Sequence, residues 1–372
     1  DDLNGFELDF EPMPLAANDT AAIVLTSGTT GVPKGVMHSH RGMVEGARGA
    51  VYPFQLGPSS TIVHLFTTSF MGWYNLALPA LNVGTKMVFM EHWDPLAYLQ
   101  KLAEERATLV LLVPTMWRML LQQPVEDYDL SSVTLAGFAG EVMDVATLRA
   151  IRERVCANVI NAYGTTETGP SAGTVMFPAD LEREEKIQSI GKPMLNSEAR
   201  VIIPGAGIDD EVPFGEEGEI IIKGPSRAVQ MWEDPPLSRK VFRGDWWYSG
   251  DLGHMDEEGY LYIHGRVDDM MITGGINVLP APIEELLLSH DGVSECAVIG
   301  LPDPEWGQRI TAFVIRANEQ LTAEELDQFA HRSELANYQR PKEYRFVTEL
   351  PRGSSGKTSR KTLRDQVVAT QK

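Results

Sequence analysis

The sequence has 372 residues, 32 basic and 52 acidic, for a formal charge of −20; 43% are hydrophobic and 23% charged. At roughly 150 residues per domain this length holds two or three domains, with enough chain to bury a core without staples. The charge argues against general nucleic-acid binding and against an anionic membrane surface. Two cysteines, Cys156 and Cys296, exclude a disulfide framework or zinc cluster and suit a reducing, cytoplasmic compartment. No apolar run is longer than 109–113, which is too short for stable membrane insertion.

Residues 1–19 hold six acids and no base and read as a solvated lead-in. From Thr20 short apolar runs alternate with helical stretches. The strands expected are 21–25, 61–66, 85–90, 108–113, 132–138 and 158–163, and the helices 40–52, 75–82, one opened by Asp94-Pro95, one after Pro114, and 145–155. This alternation predicts an α/β subdomain with a largely parallel sheet over 20–196. Between 197 and 265 three strand-like runs are separated by Gly, Pro and Asp turns. They predict a small antiparallel β subdomain without helices. Beyond 269 a third, α+β unit runs to 372, with helices at 282–290 and 322–332, strands at 293–300 and 309–316, and a Gly/Ser-rich loop at 352–359.

The most informative string is Thr26-Ser27-Gly28-Thr29-Thr30-Gly31-Val32-Pro33-Lys34-Gly35, directly after a buried strand. Glycines admit backbone N–H groups to an anion, hydroxyls add donors, and Lys34 adds a point charge. It is not a Walker A loop, because Pro33 and Gly35 stand where Gly and a hydroxyl residue are required. Four further strings follow in order: Asn161-Ala162-Tyr163-Gly164-Thr165-Thr166-Glu167, Trp247 to Gly253 around Asp251, Gly265-Arg266-Val267-Asp268-Asp269, and Pro351-Arg352-Gly353-Ser354-Ser355-Gly356-Lys357. Read singly, these are a capped turn, a turn Asp, a polar loop after a strand, and a mobile Lys near a C-terminus.

Together and in this order they closely resemble the motifs of the ANL superfamily of adenylate-forming enzymes, the AMP-forming acyl-CoA synthetases in particular. The resemblance implies that residues 26–35 cradle the ATP phosphates, with Lys34 and Thr29 catalytic. It implies that Glu167, with Thr29 beside it, holds Mg2+. Asn161 and Tyr163 would lie near the adenine, with Gly164 and Thr165 also binding the nucleotide, Asp251 would take the ribose hydroxyls, and Arg266 would face ribose and phosphate. Asp268, within a hinge at 266–268, would let the C-terminal domain rotate. Gly274, Gly275 and Trp306 would line the coenzyme A tunnel, and Lys357 would be the catalytic lysine. The implied reaction activates a carboxylic acid to acyl-AMP and pyrophosphate, then transfers the acyl group to CoA. Loading of a carrier protein, or a non-catalytic nucleotide-binding role, are the alternatives; Trp306-Gly307 and 337–342 look more like free-standing CoA ligases.

The acyl-pocket candidates are Phe70, Met71, Trp73, Met116, Trp117, Phe138 and Gly140. All but Gly140 are apolar and bulky, which suggests an apolar monocarboxylate, although each alone reads as core. Three departures from the family pattern stand out: no gating His near Ser69–Trp73, Pro282 in place of Glu, and Gln308 in place of Glu. In the family an α/β portion precedes the phosphate loop. Here the loop begins at residue 26, so an absent N-terminal subdomain is expected. Residues 340–372 carry nine bases and three acids, a local charge of +6 that leaves −26 on the rest. That segment reads either as a surface for polyanionic ATP and CoA or as charge balance within a solvated domain.

Overall fold

The structure, a computed structural model, describes residues 13–26, 33–140, 143–170, 173–352 and 358–370. Its largest sheet runs, in spatial order, Lys86–Phe89, Thr61–His64, Leu109–Leu112, Leu135–Ala139, Val159–Tyr163, Thr174–Met176 and Lys192–Pro193. The first five strands are parallel and the last two antiparallel. Alternation along each strand divides the core. Val110, Leu112, Ala136, Phe138 and Val159 pack with Tyr98, Leu99, Trp117, Leu120 and Ile151 on one face. Leu109, Leu135 and Ile160 pack with Ala50, Phe54, Leu76 and Ala80 on the other. Helices on both faces of a parallel sheet are the arrangement that the alternating runs call for.

The helices begin where side chains can meet their orphan N–H groups. Asp94 Oδ1 accepts from Ala97 N–H at 2.7 Å with Pro95 in the first turn, and Asp144 Oδ1 accepts from Thr147 N–H at 2.8 Å. The helix expected over 75–82 begins earlier and runs Met71–Val83, accommodating Pro79.

A separate three-stranded sheet joins Thr20–Thr26 and Lys34–Ser39 as an antiparallel hairpin, with Gln230–Met231 along the second strand. The glycine-rich string therefore bridges two strands of a hairpin and does not lead straight into a helix. The first helix starts only at His40.

The β-rich region forms a five-stranded antiparallel sheet: Glu198–Ile202, Gly218–Lys223, Trp246–Met255 and Phe242–Arg243 in order, with Leu261–Arg266 also on Trp246–Met255. It is not free of helix as expected. Pro235–Val241 is helical, because Asp234 Oδ1 caps Leu237 N–H at 3.0 Å and two prolines preset the first turn.

The C-terminal unit has Ile276–Val278, Met271–Thr273, Gly307–Arg316 and Val293–Asp303 in order, with Glu343–Phe346 parallel to Gly307–Arg316. Helices Pro280–Leu288, Ala323–His331 and Arg360–Thr370 complete it. Among the described residues no helix is long and apolar enough to cross a membrane.

Gly191 links the large sheet to the β-rich one by a bridge to Leu261. Its φ is +93°, and a Cβ there would lie 2.3 Å from the Val175 carbonyl oxygen. Gly84 caps a helix at φ +74° with nothing within 4 Å of a Cβ. Gly191→Ala is therefore expected to cost more than about 4 kcal/mol, and Gly84→Ala only about 1–2 kcal/mol. Denaturant unfolding of both variants checks this.

Candidate active site

The phosphate-loop hairpin ends at Thr26 and Lys34, which face each other in register. Ser27, Gly28, Thr29, Thr30 and Gly31 lie outside the described residues. Lys34 is half-buried. The hairpin is packed tightly at its base: a Cβ on Gly35 would lie 2.8 Å from both Ile23 and Trp232.

The Thr165–Gly169 turn packs against the same hairpin. Thr165 caps a short 3-10 turn, its Oγ1 accepting from Glu167 N–H at 3.2 Å, while Thr165 N–H donates to Thr168 Oγ1 at 3.0 Å. A segment missed in the sequence, Ser226 to Met231, ties this turn to the hairpin. Ser226 Oγ donates to Thr168 O at 2.6 Å, Ala228 N–H to Glu167 O at 2.8 Å, and Val229 N–H to Met37 O at 2.8 Å. Gly169, at φ +83°, is pressed so close that a Cβ would lie 2.0 Å from Ser226 O. The backbone of Glu167 is thus fixed on both sides. Its half-buried side chain has no hydrogen bond or ion pair among the described residues. A carboxylate without such a partner, on a turn packed against that hairpin, is chemically suited to a hard cation such as Mg2+.

Asp251 is the node of the site. It is not at a turn as expected but inside the strand Trp246–Met255, next to Gly250 at φ +69°. Its side chain is 10% exposed. Tyr163 Oη donates to Oδ2 at 2.5 Å and Arg266 Nη1 to Oδ1 at 2.5 Å. Burial first, then the Asp251 charge, push the Tyr163 phenol well above its usual range, so it stays a donor. Burial works against the Arg266 charge, but Asp251 outweighs it and the guanidinium pKa is raised. Two polar residues unremarked in the sequence shape this node. Ser249 Oγ accepts from Asp251 N–H at 2.8 Å and donates to Ile220 O at 2.5 Å. Glu219, 6% exposed, accepts Gly250 N–H at 3.2 Å and Gly205 N–H at 3.1 Å. A lone Glu in the apolar strand GEIIIK was the available signal.

The other candidates are placed as follows. Asn161, 9% exposed, donates to Ser189 O at 3.3 Å, and Gly164 is exposed. Asp268 lies in a 3-10 turn, Val267–Asp269, paired with Lys240 at 3.4 Å with both side chains about two-thirds exposed. Gly274 and Gly275, at φ +56° and +79°, form a two-residue hairpin turn. The Trp306 ring lies against Gly274, whose N–H donates to Trp306 O at 2.8 Å. Lys357 lies outside the described residues.

The acyl-pocket set is dispersed in exposure. Phe70 is 64% exposed, Met71 is buried at 6%, and Gly140 sits at φ +87° just past a sheet strand. Phe138 and Trp117 belong to the sealed core, and Met116 packs against it. Trp73 presents its carbonyl to His64 Nε2 at 3.3 Å. The basic C-terminal stretch is not a bare cationic face. Arg345 pairs with Glu343, Arg352 with Glu295, and Arg360 with Glu284 and Asp269.

The chain has known relatives. Residues 3–231 match the model of the AMP-binding enzyme family, and 282–357 that of the AMP-binding enzyme C-terminal domain. The chain belongs to this family, within the ANL superfamily. It is 33% identical to a long-chain-fatty-acid–CoA ligase of Bacillus subtilis over 94% of its own length and 62% of that protein. It is 35% identical to a sulfoacetate–CoA ligase of Cupriavidus necator over 95% of its length and 68% of that protein. Among solved structures, ATP-bound MatB from Rhodopseudomonas palustris is similar with a TM-score of 0.82 and 31% identity, over 98% of this chain and 71% of that one. The chain thus spans about two-thirds of its relatives' length.

His38, fully buried on the hairpin's second strand, lies against the backbone of Thr166 and Ser226 without a well-formed hydrogen bond to either ring nitrogen. Burial lowers its pKa to about 4, those backbone contacts offsetting only part of the effect. The unfolded chain therefore takes up the proton first. Stability is complete above the ordinary value of 6.5 and is lost as pH falls toward 4, by about 3 kcal/mol in all. His64, whose pKa burial also lowers, adds to the same slope. Unfolding free energies between pH 7 and 4 should show this loss, and His38→Gln should flatten it.

Proposed function

We propose that this chain carries the nucleotide- and thiol-handling parts of an AMP-forming carboxylate–CoA ligase. One observation supports the reading above others: Tyr163 from the large sheet, Asp251 from the β-rich sheet and Arg266 at the hinge meet at one carboxylate. A carboxylate has about four lone-pair sites, so after Tyr163 and Arg266 it can still accept from two ribose hydroxyls.

In the first half-reaction a carboxylate oxygen of the acid attacks the α-phosphate of Mg–ATP. A C–O–P bond forms, the bond to the β-phosphate bridge breaks, and pyrophosphate leaves. The difficulty is repulsion between an anion and a polyanion. Lys34 and the Thr29 and Thr30 hydroxyls hold the leaving pyrophosphate, Glu167 would hold a magnesium ion that offsets its charge, and Lys357 bridges the reacting groups. Losing one such preorganised donor costs about 3 kcal/mol, or about 10²–10³ in rate. In the second half-reaction the C-terminal unit turns about Asp268, withdrawing Lys357 and bringing the Gly274-Gly275 turn and Trp306 to the CoA arm. The thiol attacks the acyl carbonyl and AMP leaves. One domain in two orientations serves two chemistries at one site. The acid is an apolar monocarboxylate, a fatty or aryl acid, met by Phe70, Met71, Trp73 and Met116.

In the full natural protein, Lys357→Ala should abolish ATP–pyrophosphate exchange yet keep thioester formation from supplied acyl-adenylate; equal loss of both sinks the assignment. Asp251→Asn should raise KM for ATP by about tenfold or more, the loss of a charged hydrogen bond worth about 1.5–3 kcal/mol. Glu219→Gln, which can accept only one of the two N–H bonds in its neutral form, should move KM in the same direction by less. Thioester yield across a panel of acids, with CoA and with carrier protein as acceptors, identifies both partners.

A further inference from the structure

Arg360 opens the C-terminal helix three residues beyond Lys357. Its guanidinium donates from Nε to Glu284 Oε1 at 3.0 Å, from Nη2 to Glu284 Oε2 at 2.5 Å, and from Nη1 to Asp269 Oδ2 at 3.0 Å. The three side chains are largely buried, at 24%, 12% and 22% exposure for Arg360, Glu284 and Asp269. Glu284 is itself fixed by accepting Val298 N–H at 2.7 Å. A planar fork that meets two carboxylates at once is a geometry that lysine's point charge does not reproduce.

The partners are the informative part. Glu284 belongs to the helix Pro280–Leu288, whereas Asp269 is the residue directly after the hinge Asp268. The other stem of the 353–357 loop is also fixed. Arg352 and Thr358 form an antiparallel bridge, Ser359 N–H donates to Pro351 O at 2.7 Å, and Arg352 Nη2 lies 2.6 Å from Glu295 Oε2. By contrast the Asp268 side chain, among the described residues, makes one exposed, long ion pair, to Lys240, which contributes little, besides its charge interaction with Arg266. Asp268 therefore lies between a strand end fixed through Arg266 and a following residue, Asp269, tied to the base of the helix that follows the lysine segment.

We infer that Arg360 is a positioning residue that couples the hinge to Lys357: rotation at Asp268 carries Asp269, and through Asp269 and Glu284 the stem of the lysine loop turns with it. The inference rests on the proposed role of Lys357. Without the fork, the lysine reaches the α-phosphate off line, and a misplacement of order 1 Å costs about 10²-fold.

The test compares Arg360→Ala, Arg360→Lys, Asp269→Asn and Lys357→Ala in the full natural protein. Expected for Arg360→Ala is a fall in kcat of ATP–pyrophosphate exchange of about 10- to 10²-fold, unchanged KM for ATP, and an unchanged rate of thioester formation from supplied acyl-adenylate. Arg360→Lys should recover part of the loss. Asp269→Asn, which keeps the Arg360–Glu284 pair and so the fold, should shift the same half-reaction by less. Equal loss of both half-reactions together with a lowered Tm assigns Arg360 a purely structural role and overturns the inference, as does full exchange activity in Arg360→Ala and Asp269→Asn. If Arg360→Ala is active while Lys357→Ala is not, the coupling alone fails. If Lys357→Ala keeps exchange activity, the proposed role of that lysine fails, and the coupling with it.

Discussion

The buried carboxylate of Asp251 is the constraint on which the site depends. A charge so enclosed is tolerable only if opposed and hydrogen-bonded. Arg266 supplies the charge, while Tyr163 and the Ser249-bound backbone supply geometry. Because Tyr163 comes from the large sheet while Asp251 and Arg266 stand opposite each other on paired strands of the β-rich sheet, satisfying one carboxylate also aligns the two sheets. Glu219 repeats the logic one strand away, using a second buried carboxylate to hold the Gly250 backbone that aims Asp251.

A similar economy holds the phosphate side together. The segment around Ser226–Met231 pairs with the hairpin strand and closes on the Thr165–Gly169 turn, so the backbone of Glu167 and the strand Lys34–Ser39 share one frame. Gly169 is where that frame is tightest, since any Cβ would overlap the Ser226 carbonyl. At the far end Arg360 performs the same joining for the C-terminal unit. In each case the link is a buried polar contact between segments far apart in sequence, which makes such groups costly to remove.

Much of the fold was legible because its signals are local. The parallel sheet follows from apolar runs whose alternation gives each helix layer one set of side chains. Asp94, Asp144 and their first-turn partners announce helix starts. Errors arose where local preference was overridden. The helix Pro235–Val241 lies inside a β-rich stretch because Asp234 caps it. Asp251 reads as a turn residue yet lies within a long bulged strand, because pairing on both sides with Gly218–Lys223 and Leu261–Arg266 extends the ladder through Gly250. Phe138 and Trp117 look like pocket walls by position, but parity on their strand and helix puts them in the core.

The sequence by itself determined the family, the order of its motifs and the chemistry those residue types support. Loops of Gly, Ser, Thr and Lys, and single acids at motif ends, encode ligand preference locally. Tertiary structure alone decided which of those groups share a site. It brought Tyr163, Asp251 and Arg266 to one carboxylate, and joined Ser226 and Ala228 to the Glu167 turn. It also paired three arginines of a basic tail with Glu343, Glu295, Glu284 and Asp269. The physical reason is that an ion pair or buried hydrogen bond depends on distance in space, and a motif string carries no information about what lies across from it.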